Sequence, residues 1–426
     1  MDNNTTHKRH YKAITDRRYI VPFVLITSLF FLWGFARAIL DVLNKHFQEL
    51  LSISITESAF IQVVTYLGYF LMAIPAGLFI NKFGYRLGVV FGLLLFAFGA
   101  FLFIPCADIG TLNAYLMCLF IIACGLAFLE TSANPYVTEL GSDDTATSRL
   151  NLSQSFNGLG SSLAPFVMGS FLFGNVAADV AFPYTVMGFV VIVVAIIFMF
   201  SKLPEISRDV NGDINEVNEE DSDTGIDNLK VLFHNKMFVF GLFALLMYEV
   251  SEISINSYFV NFTTGMGWLD SSNASYILSF SLFIFMGGRF FGSWVMRTVA
   301  AEKMLYYCAW GSTISIIGVV LFSVSERNEA ESFTRFIPLA FLMLNYFCEA
   351  IMFPTIFALT LRGLGSLTKS ASSLLMMTPV GGCGFLLMAY VADHSASYVI
   401  PFIIPLVGYV VIVAYSRRLM KKQQPQ

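Results

Sequence analysis

The chain has 426 residues, of which 56% are hydrophobic and only 13% are charged, and its net charge is −4. The mean hydropathy is +0.70, whereas soluble globular domains carry about 25% charged residues. These values exclude an ordinary soluble enzyme and a disordered chain, and the negative net charge gives no basis for a nucleic-acid partner. The composition therefore predicts an all-α integral membrane protein, for which the lipid bilayer is the main partner and solvent.

The chain begins with a polar and basic stretch, residues 1–20, which lacks the short apolar segment and cleavage site of a signal peptide. Continuously apolar runs long enough to cross a bilayer follow, and they predict twelve transmembrane helices rather than a β-barrel. The approximate predicted spans are 21–46, 58–81, 86–106, 112–139, 150–173, 182–201, 236–263, 272–296, 303–325, 334–361, 370–392 and 397–416.

An acidic linker divides the predicted helices into six and six. It lies between a six-helix bundle of residues 21–201 and a second six-helix bundle of residues 236–416, and tails of 1–20 and 417–426 flank the two bundles. The linker, residues 202–235, is rich in Asp and Glu and has no aromatic residue before its last positions, which indicates a solvated loop.

The two halves show signs of an internal repeat, and the basic residues indicate an orientation. Gly77 and Arg86 recur as Gly288 and Arg297 at a common offset of 211 residues. Of the 25 Lys and Arg residues, 20 fall on the side of the membrane that holds both termini. The positive-inside rule therefore places both termini in the cytoplasm. Two related halves are typical of a secondary transporter whose binding site lies between them.

Charged residues within the predicted spans are the first candidates for function, because a charge at the middle of a helix costs about 2.5–3.5 kcal/mol on insertion. In the first span, Arg37 and Asp41 are four residues apart and share a helix face. One interpretation is a protonatable carboxylate that a neighbouring cation tunes, and the other is a static ion pair. Asp41 is thus a candidate proton-coupling residue, and Arg37 a candidate substrate contact.

Two further candidate groups lie in the fourth and fifth spans. Glu130 and Asn134 face the same way on one helix, and Gln154 and Asn157 share a face of the next. Carboxylate and amide groups suit a sugar, because its hydroxyl groups both donate and accept hydrogen bonds. The alternatives are a buried Glu satisfied by a neighbouring helix and interhelical amide contacts beside close-packed glycines.

The second half carries its own intramembrane polar residues. Glu252 and Asn256 share a face of the seventh span, and we expect either Glu252 or Glu249 to face the cavity. Asn345 and Glu349 are four residues apart in the tenth span. Together with Glu249 they form a possible second polar site.

Enzyme signatures are absent from this sequence, and no metal site is expected. The chain contains no G-x-S-x-G, H-E-x-x-H or Walker motif, and none of its six cysteines forms a C-x-x-C pair. Without a phosphate-binding loop, ATP is not an energy source for this chain. We therefore expect no cofactor, and either an ion gradient or facilitated diffusion remains.

Several segments resemble one family of membrane transporters. The loop after the second span resembles the major facilitator signature G-x-x-x-D-R-x-G-R-R, with Asn81 in place of its Asp. Four other segments resemble the fucose–galactose–glucose:proton symporter family over essentially all twelve spans. These segments are Leu129–Val137, Leu150–Gly160, Gly288–Trp294 and Phe353–Phe357.

This resemblance implies a major facilitator fold and the import of a monosaccharide with protons across a bacterial cytoplasmic membrane. It implies that Asp41 and Glu130 are the coupling acids and that Gln154 and Asn157 contact the sugar. Glu252 is similar to the glutamate of the seventh-span motif in glucose-type members. We expect a monomer. A sugar uniporter, a sodium-coupled carrier and a non-transporting membrane sugar sensor stay open as alternatives, as does the identity of the sugar.

Overall fold

The computed structural model describes residues 15, 17–140, 146–174, 181–201, 230–296, 299–325, 336–364, 367, 371, 374–375, 377–395 and 397–423. This part of the chain is helical and contains no strand, as the sequence predicted. The α-helices are α1 Ile20–Leu51, α2 Ile55–Ser58, α3 Phe60–Phe101, α4 Phe103–Ile109, α5 Leu112–Glu139, α6 Ala146–Gly174, α7 Ala181–Phe200, α8 Lys236–Gly265, α9 Ser271–Val295, α10 Ala301–Ser325, α11 Phe336–Glu349, α12 Met352–Leu361, α13 Phe385–Ser395 and α14 Ile403–Gln423.

Within these ranges, eleven helical stretches are long and apolar enough to cross a membrane. Eleven of the twelve predicted spans correspond to these stretches. The predicted span 370–392 overlaps residues outside the described part of the chain. Its described portion is a 3-10 helix, Thr378–Gly384, followed by α13. Pro379 and three glycines explain the irregular backbone here, because proline lacks an amide donor and glycine weakens a helix.

A single glycine separates the second span from the third. Gly84 has φ 83° and ψ 167° in the middle of α3, which therefore runs as two helices joined at this residue. A positive φ is accessible to glycine at little cost and is unfavourable for a residue with a side chain. The two spans are accordingly a tight helical hairpin.

The buried apolar side chains form two large clusters. One contains residues from Phe23 to Phe198 only. The other contains residues from Leu232 to Tyr415, together with Ala59. The two clusters agree with a division into two bundles, whose bounds of 21–201 and 236–416 stay a prediction. Most of the predicted linker lies outside the described residues. Its last part is helical and contains three consecutive apolar residues, Val231, Leu232 and Phe233, of which Leu232 is fully buried.

Helices α1 and α6 pack with their backbones in close contact. A Cβ atom added to Gly160 would lie 2.2 Å from the carbonyl oxygen of Phe31. One added to Gly34 would lie 2.3 Å from the carbonyl oxygen of Asn157. Small residues at such positions let membrane helices approach each other. This packing fixes the two polar faces that contribute to the site.

Candidate functional site

Arg37 and Asp41 on α1 have different partners. The Nε atom of Arg37 donates a hydrogen bond to the Tyr66 hydroxyl at 3.2 Å, and its guanidinium carbon lies 5.6 Å from the centre of that ring. Oδ1 of Asp41 accepts a hydrogen bond from Oγ of Ser257 at 2.8 Å. No ion pair within 4.0 Å joins Arg37 to Asp41 or to any other described residue. The arrangement is therefore not the static ion pair that their spacing allowed.

Arg37 stands among carboxyl groups from both halves of the chain. In the first half it interacts electrostatically with Asp41 and Glu130. In the second half it interacts with Glu249 and Glu252. The structure thus brings together four acids that the sequence singled out, and it does so between the two bundles. The guanidinium group is placed to hold negative charge there without a fixed carboxylate partner.

Glu349, in the second half, is completely buried. Its Oε2 atom accepts hydrogen bonds from Asn345 Nδ2 at 2.9 Å and from the Tyr409 hydroxyl. Both donors are neutral. The guanidinium of Arg289 lies instead over the ring of Phe285, at 4.7 Å, and its Nε donates to a backbone carbonyl. Asn345, Glu349 and Tyr409 therefore form one hydrogen-bonded group, whereas Glu249, which the sequence analysis grouped with Asn345 and Glu349, interacts with Glu252 and Arg37.

Carboxyl groups outnumber cations in the middle of the described helices. Five acids face two arginines; the acids are Asp41, Glu130, Glu249, Glu252 and Glu349, and the arginines are Arg37 and Arg289. Unpaired charges in a membrane interior are costly, so protons are the simplest counter-charge for the excess acids. A site with this composition is suited to bind and release protons.

Several buried polar atoms near these acids have no hydrogen-bonding partner among the described residues. They include the hydroxyls of Tyr69, Tyr248 and Tyr346, Oε2 of Glu249 and Oδ1 of Asn256. Leaving a buried polar group unsatisfied costs about 1–3 kcal/mol. These donors and acceptors are therefore available to water or to a ligand that is rich in hydroxyl groups.

The amides of the fourth and fifth spans divide into two groups. Nε2 of Gln154 donates to Oδ1 of Asn134 at 3.4 Å, which brings two predicted binding residues together. Glu130 is half-buried on the same helix as Asn134. Asn157 differs, because its Nδ2 donates to the carbonyl oxygen of Phe30 at 3.2 Å. Asn157 thus joins α6 to α1, and its role in ligand binding stays a prediction.

Hydrogen bonds connect the two halves on the side of the molecule where α1 and α8 end. Ser257, which donates a hydrogen bond to Asp41, also accepts one from Nε2 of Gln62 at 2.8 Å. Asn261 Nδ2 donates to Oδ1 of Asn44 at 3.4 Å. The Ser271 hydroxyl, where α9 begins, donates to Oε1 of Glu49 at 2.7 Å. We use the name distal seal for the residues that make these contacts between the halves, which are Asp41, Asn44, Glu49, Gln62, Ser257, Asn261, Ser271 and, as described next, Asp393.

Asp393 adds a contact of a different kind to the distal seal. Its carboxylate, on α13, accepts hydrogen bonds from the backbone N–H groups of Ile55 at 3.3 Å and Thr56 at 2.7 Å. These amides lie at the start of α2, in the other half, where the first N–H groups of a helix have no acceptor within the helix itself. Ser54 caps the same helix from within its own half, by accepting a hydrogen bond from the Glu57 amide. One helix start is therefore held by both halves.

Sequence reasoning did not predict the distal seal. One signal was present, because Asn44 follows Asp41 by three residues and so shares its helix face. Ser257, Gln62 and Asp393 gave no comparable signal. In the described part of the chain, no three His, Cys, Asp or Glu side chains are grouped so that they could hold a metal ion.

Comparison with known proteins agrees with this architecture. The family model described as Major Facilitator Superfamily matches residues 26–386. The L-fucose-proton symporter of Haemophilus influenzae is 33% identical, over 96% of this chain and 98% of its own length. The glucose/galactose transporter of Brucella abortus is 31% identical, over 97% of each chain.

A solved structure of similar sequence shows the same fold. It is the structure of the major facilitator transporter FucP in the outward conformation, with 30% identity and a TM-score of 0.68. The similarity covers 94% of this chain and 99% of FucP. The relatives, the fold and the eleven apolar helical stretches together describe a multi-pass membrane protein. The chain belongs to the major facilitator superfamily and, within it, to the fucose–galactose–glucose:proton symporter family that its motifs indicated.

Proposed function

We propose that this protein is a secondary active transporter that imports a monosaccharide of the fucose and hexose class together with protons. The observation that carries the proposal is the gathering of carboxyl groups from both halves around Arg37. A group of acids with too few cations can exchange protons, and its position between the bundles lets both halves respond to that exchange. The proton gradient supplies the energy, and no cofactor is needed.

The sugar would bind where acids, amides and unpartnered hydroxyl groups meet. Glu130, Asn134 and Gln154 would contact it from the first half, and Glu252 and Asn256 from the second. Arg37 and Asn157 complete this proposed set, with Arg37 offering donors that a sugar hydroxyl can accept. Asp41 and Glu130 are the proposed proton-coupling residues. Glu249, Asn345 and Glu349 are proposed as a second set of polar residues in the second bundle.

Transport would proceed by alternating access between the bundles 21–201 and 236–416. We place both termini in the cytoplasm, in a bacterial inner membrane, because most Lys and Arg residues lie on that side. With this orientation, the distal seal would close the site toward the outside of the cell. We propose that the transporter works as a monomer.

The names of the relatives support the substrate class. One is named for L-fucose and protons and another for glucose and galactose. A thermal-shift screen of the purified protein against hexoses, deoxyhexoses and N-acetyl sugars would identify the sugar. A sugar that binds this site should raise the melting temperature, because a ligand that binds only the folded state stabilises it.

Uptake of that sugar into proteoliposomes tests the coupling. With an imposed pH gradient we expect accumulation, which a protonophore abolishes. Glu130→Gln should abolish accumulation while sugar exchange at equal concentrations persists. Accumulation that is unaffected by the protonophore would contradict proton coupling. Replacing Na⁺ by K⁺ at constant pH would abolish accumulation by a sodium-coupled carrier but not by a proton-coupled one. Uptake without accumulation under any gradient would identify a uniporter.

A further inference from the structure

A groove on the outer surface of the second half lies between α10 and α14. It encloses about 540 Å³ and is separate from the acids of the transport site. Trp310 and Thr313 of α10 form one wall. Val410, Val413 and Ala414 of α14 form the other wall.

The α14 wall changes from apolar to basic along the groove. Arg417, Arg418 and Lys421 continue the same helix face one turn and two turns beyond Val413 and Ala414. All three basic side chains are exposed. No carboxylate among the described residues forms an ion pair with them. Among the described residues, the three positive charges at this end of the groove therefore have no counter-ion.

The position of the groove relative to the bilayer suits this change of character. Val410 and Ala414 lie within the apolar part of α14, and the basic residues follow near its end. Trp310 is 42% exposed, so its indole ring is available to a molecule in the groove.

We propose that this groove binds an anionic phospholipid. Its phosphate group would lie against Arg417, Arg418 and Lys421, and an acyl chain would run along Val410 and Trp310. A free phosphate ion would leave the apolar walls uncovered. A zwitterionic lipid carries a positive group beside its phosphate, and the three basic side chains would repel that group. Clusters of basic residues next to a transmembrane helix attract anionic headgroups in this way. The inference concerns the groove alone and does not require the proposed transport function.

Native mass spectrometry of the full-length protein in detergent tests the proposal. Phosphatidylglycerol and phosphatidylcholine with identical acyl chains would be titrated separately, and inorganic phosphate would be tested as a competitor. We expect phosphatidylglycerol to bind roughly tenfold more tightly than phosphatidylcholine. Neutralising the site by Arg417→Gln, Arg418→Gln and Lys421→Gln together should remove this preference. Blocking the apolar wall by Ala414→Trp should also weaken binding of phosphatidylglycerol, although it changes no charge.

A matched triple variant controls for net charge. Arg18→Gln, Lys230→Gln and Lys236→Gln removes three exposed cations from the same side of the membrane but outside the groove. This variant should bind phosphatidylglycerol like the parent protein, and melting temperatures would establish that each variant is folded. Equal loss of binding in both triple variants would overturn the proposal, as would unchanged binding to the Ala414→Trp variant. Full competition by millimolar inorganic phosphate would show an anion site without a lipid and would overturn it too.

Discussion

Ser257 of the second half donates a hydrogen bond to the carboxyl group of Asp41 in the first half, over a distance of 2.8 Å. Hydrogen bonds to an ionised carboxylate are shorter and stronger than those to a neutral group. A change in the protonation of Asp41 therefore changes a contact that holds the two halves together. This hydrogen bond would link the proposed protonation of Asp41 to the proposed movement of the two bundles.

Replacing Ser257 by alanine should weaken the closed state on the distal side. Such a hydrogen bond contributes about 1 kcal/mol when the acceptor is neutral and about 1.5–3 kcal/mol when it is charged, so the ratio of closed to open molecules should fall by roughly fivefold or more. Double electron–electron resonance between spin labels at Ile109 and Ile400, both exposed near the distal surface, would measure this ratio. Ser254→Ala is the control, because this buried hydroxyl has no partner among the described residues. A distance distribution unchanged by Ser257→Ala would refute the prediction.

Asp393→Ala should also favour opening on the distal side. It removes the cap that the second half provides to α2, and loss of such a cap costs about 1 kcal/mol, or roughly a fivefold change in the ratio of states. Ser54→Ala is the matched control, because Ser54 caps the same helix from within its own half. The same spin-label pair should report a shift for Asp393→Ala and none for Ser54→Ala. Equal shifts would mean that the cap acts only on the helix itself.

Gly160→Ala should destabilise the protein through the contact between α1 and α6. The new Cβ would clash with the backbone of Phe31, which cannot rotate away. Overpacking of this kind costs about 1–3 kcal/mol. Thermal unfolding in detergent should show a lower melting temperature. Gly287→Ala, where a Cβ meets nothing within 4 Å, should leave the melting temperature unchanged or slightly raise it. Similar losses in both variants would contradict the proposed packing constraint.

Glu349→Gln and Glu349→Leu should differ in stability. The glutamine oxygen can still accept hydrogen bonds from Asn345 and Tyr409, whereas leucine leaves both of these buried donors unsatisfied. We expect Glu349→Leu to lower the free energy of unfolding by about 2 kcal/mol or more relative to Glu349→Gln. Denaturation in mixed micelles would measure the difference. Equal stability of the two variants would show that this network does not hold α11 to α14.

The sequence predicted the spans and the acids of the site because both carry large transfer free energies. A run of some twenty apolar residues has no other stable environment, and a charge such as Glu130 within it stands out at once. The hydrogen-bonding partners of these charged side chains could not be predicted in the same way. The four-residue spacing of Arg37 and Asp41 fixes a shared helix face but not rotamers, and the structure directs Arg37 to Tyr66 of another helix.

The polar contacts between the halves could not be predicted from the sequence, because most of their side chains have small transfer free energies. Ser257 and Gln62 are neutral, and neutral side chains interrupt an apolar run at little cost, so they do not stand out. Asp393 lies at the end of a span, where a charge is ordinary. Pro379 and the glycines after it do indicate bending or close packing, but hydropathy measures length and apolarity, so the predicted span 370–392 runs through Thr378–Gly384 without a break.

The chemistry of the distal seal has a consequence for the ionic environment. Its described hydrogen bonds between the halves pair hydroxyl, amide or backbone donors with oxygen acceptors and join no opposite charges, and the ion pair of Glu49 with Lys45 lies within α1. Dissolved salt screens attraction between exposed ions over about 8 Å at physiological strength, but it has little effect on short hydrogen bonds to neutral donors. The balance between closed and open molecules should therefore be nearly the same in dilute and in saline media, so a rise in salt outside a cell would not by itself open this carrier.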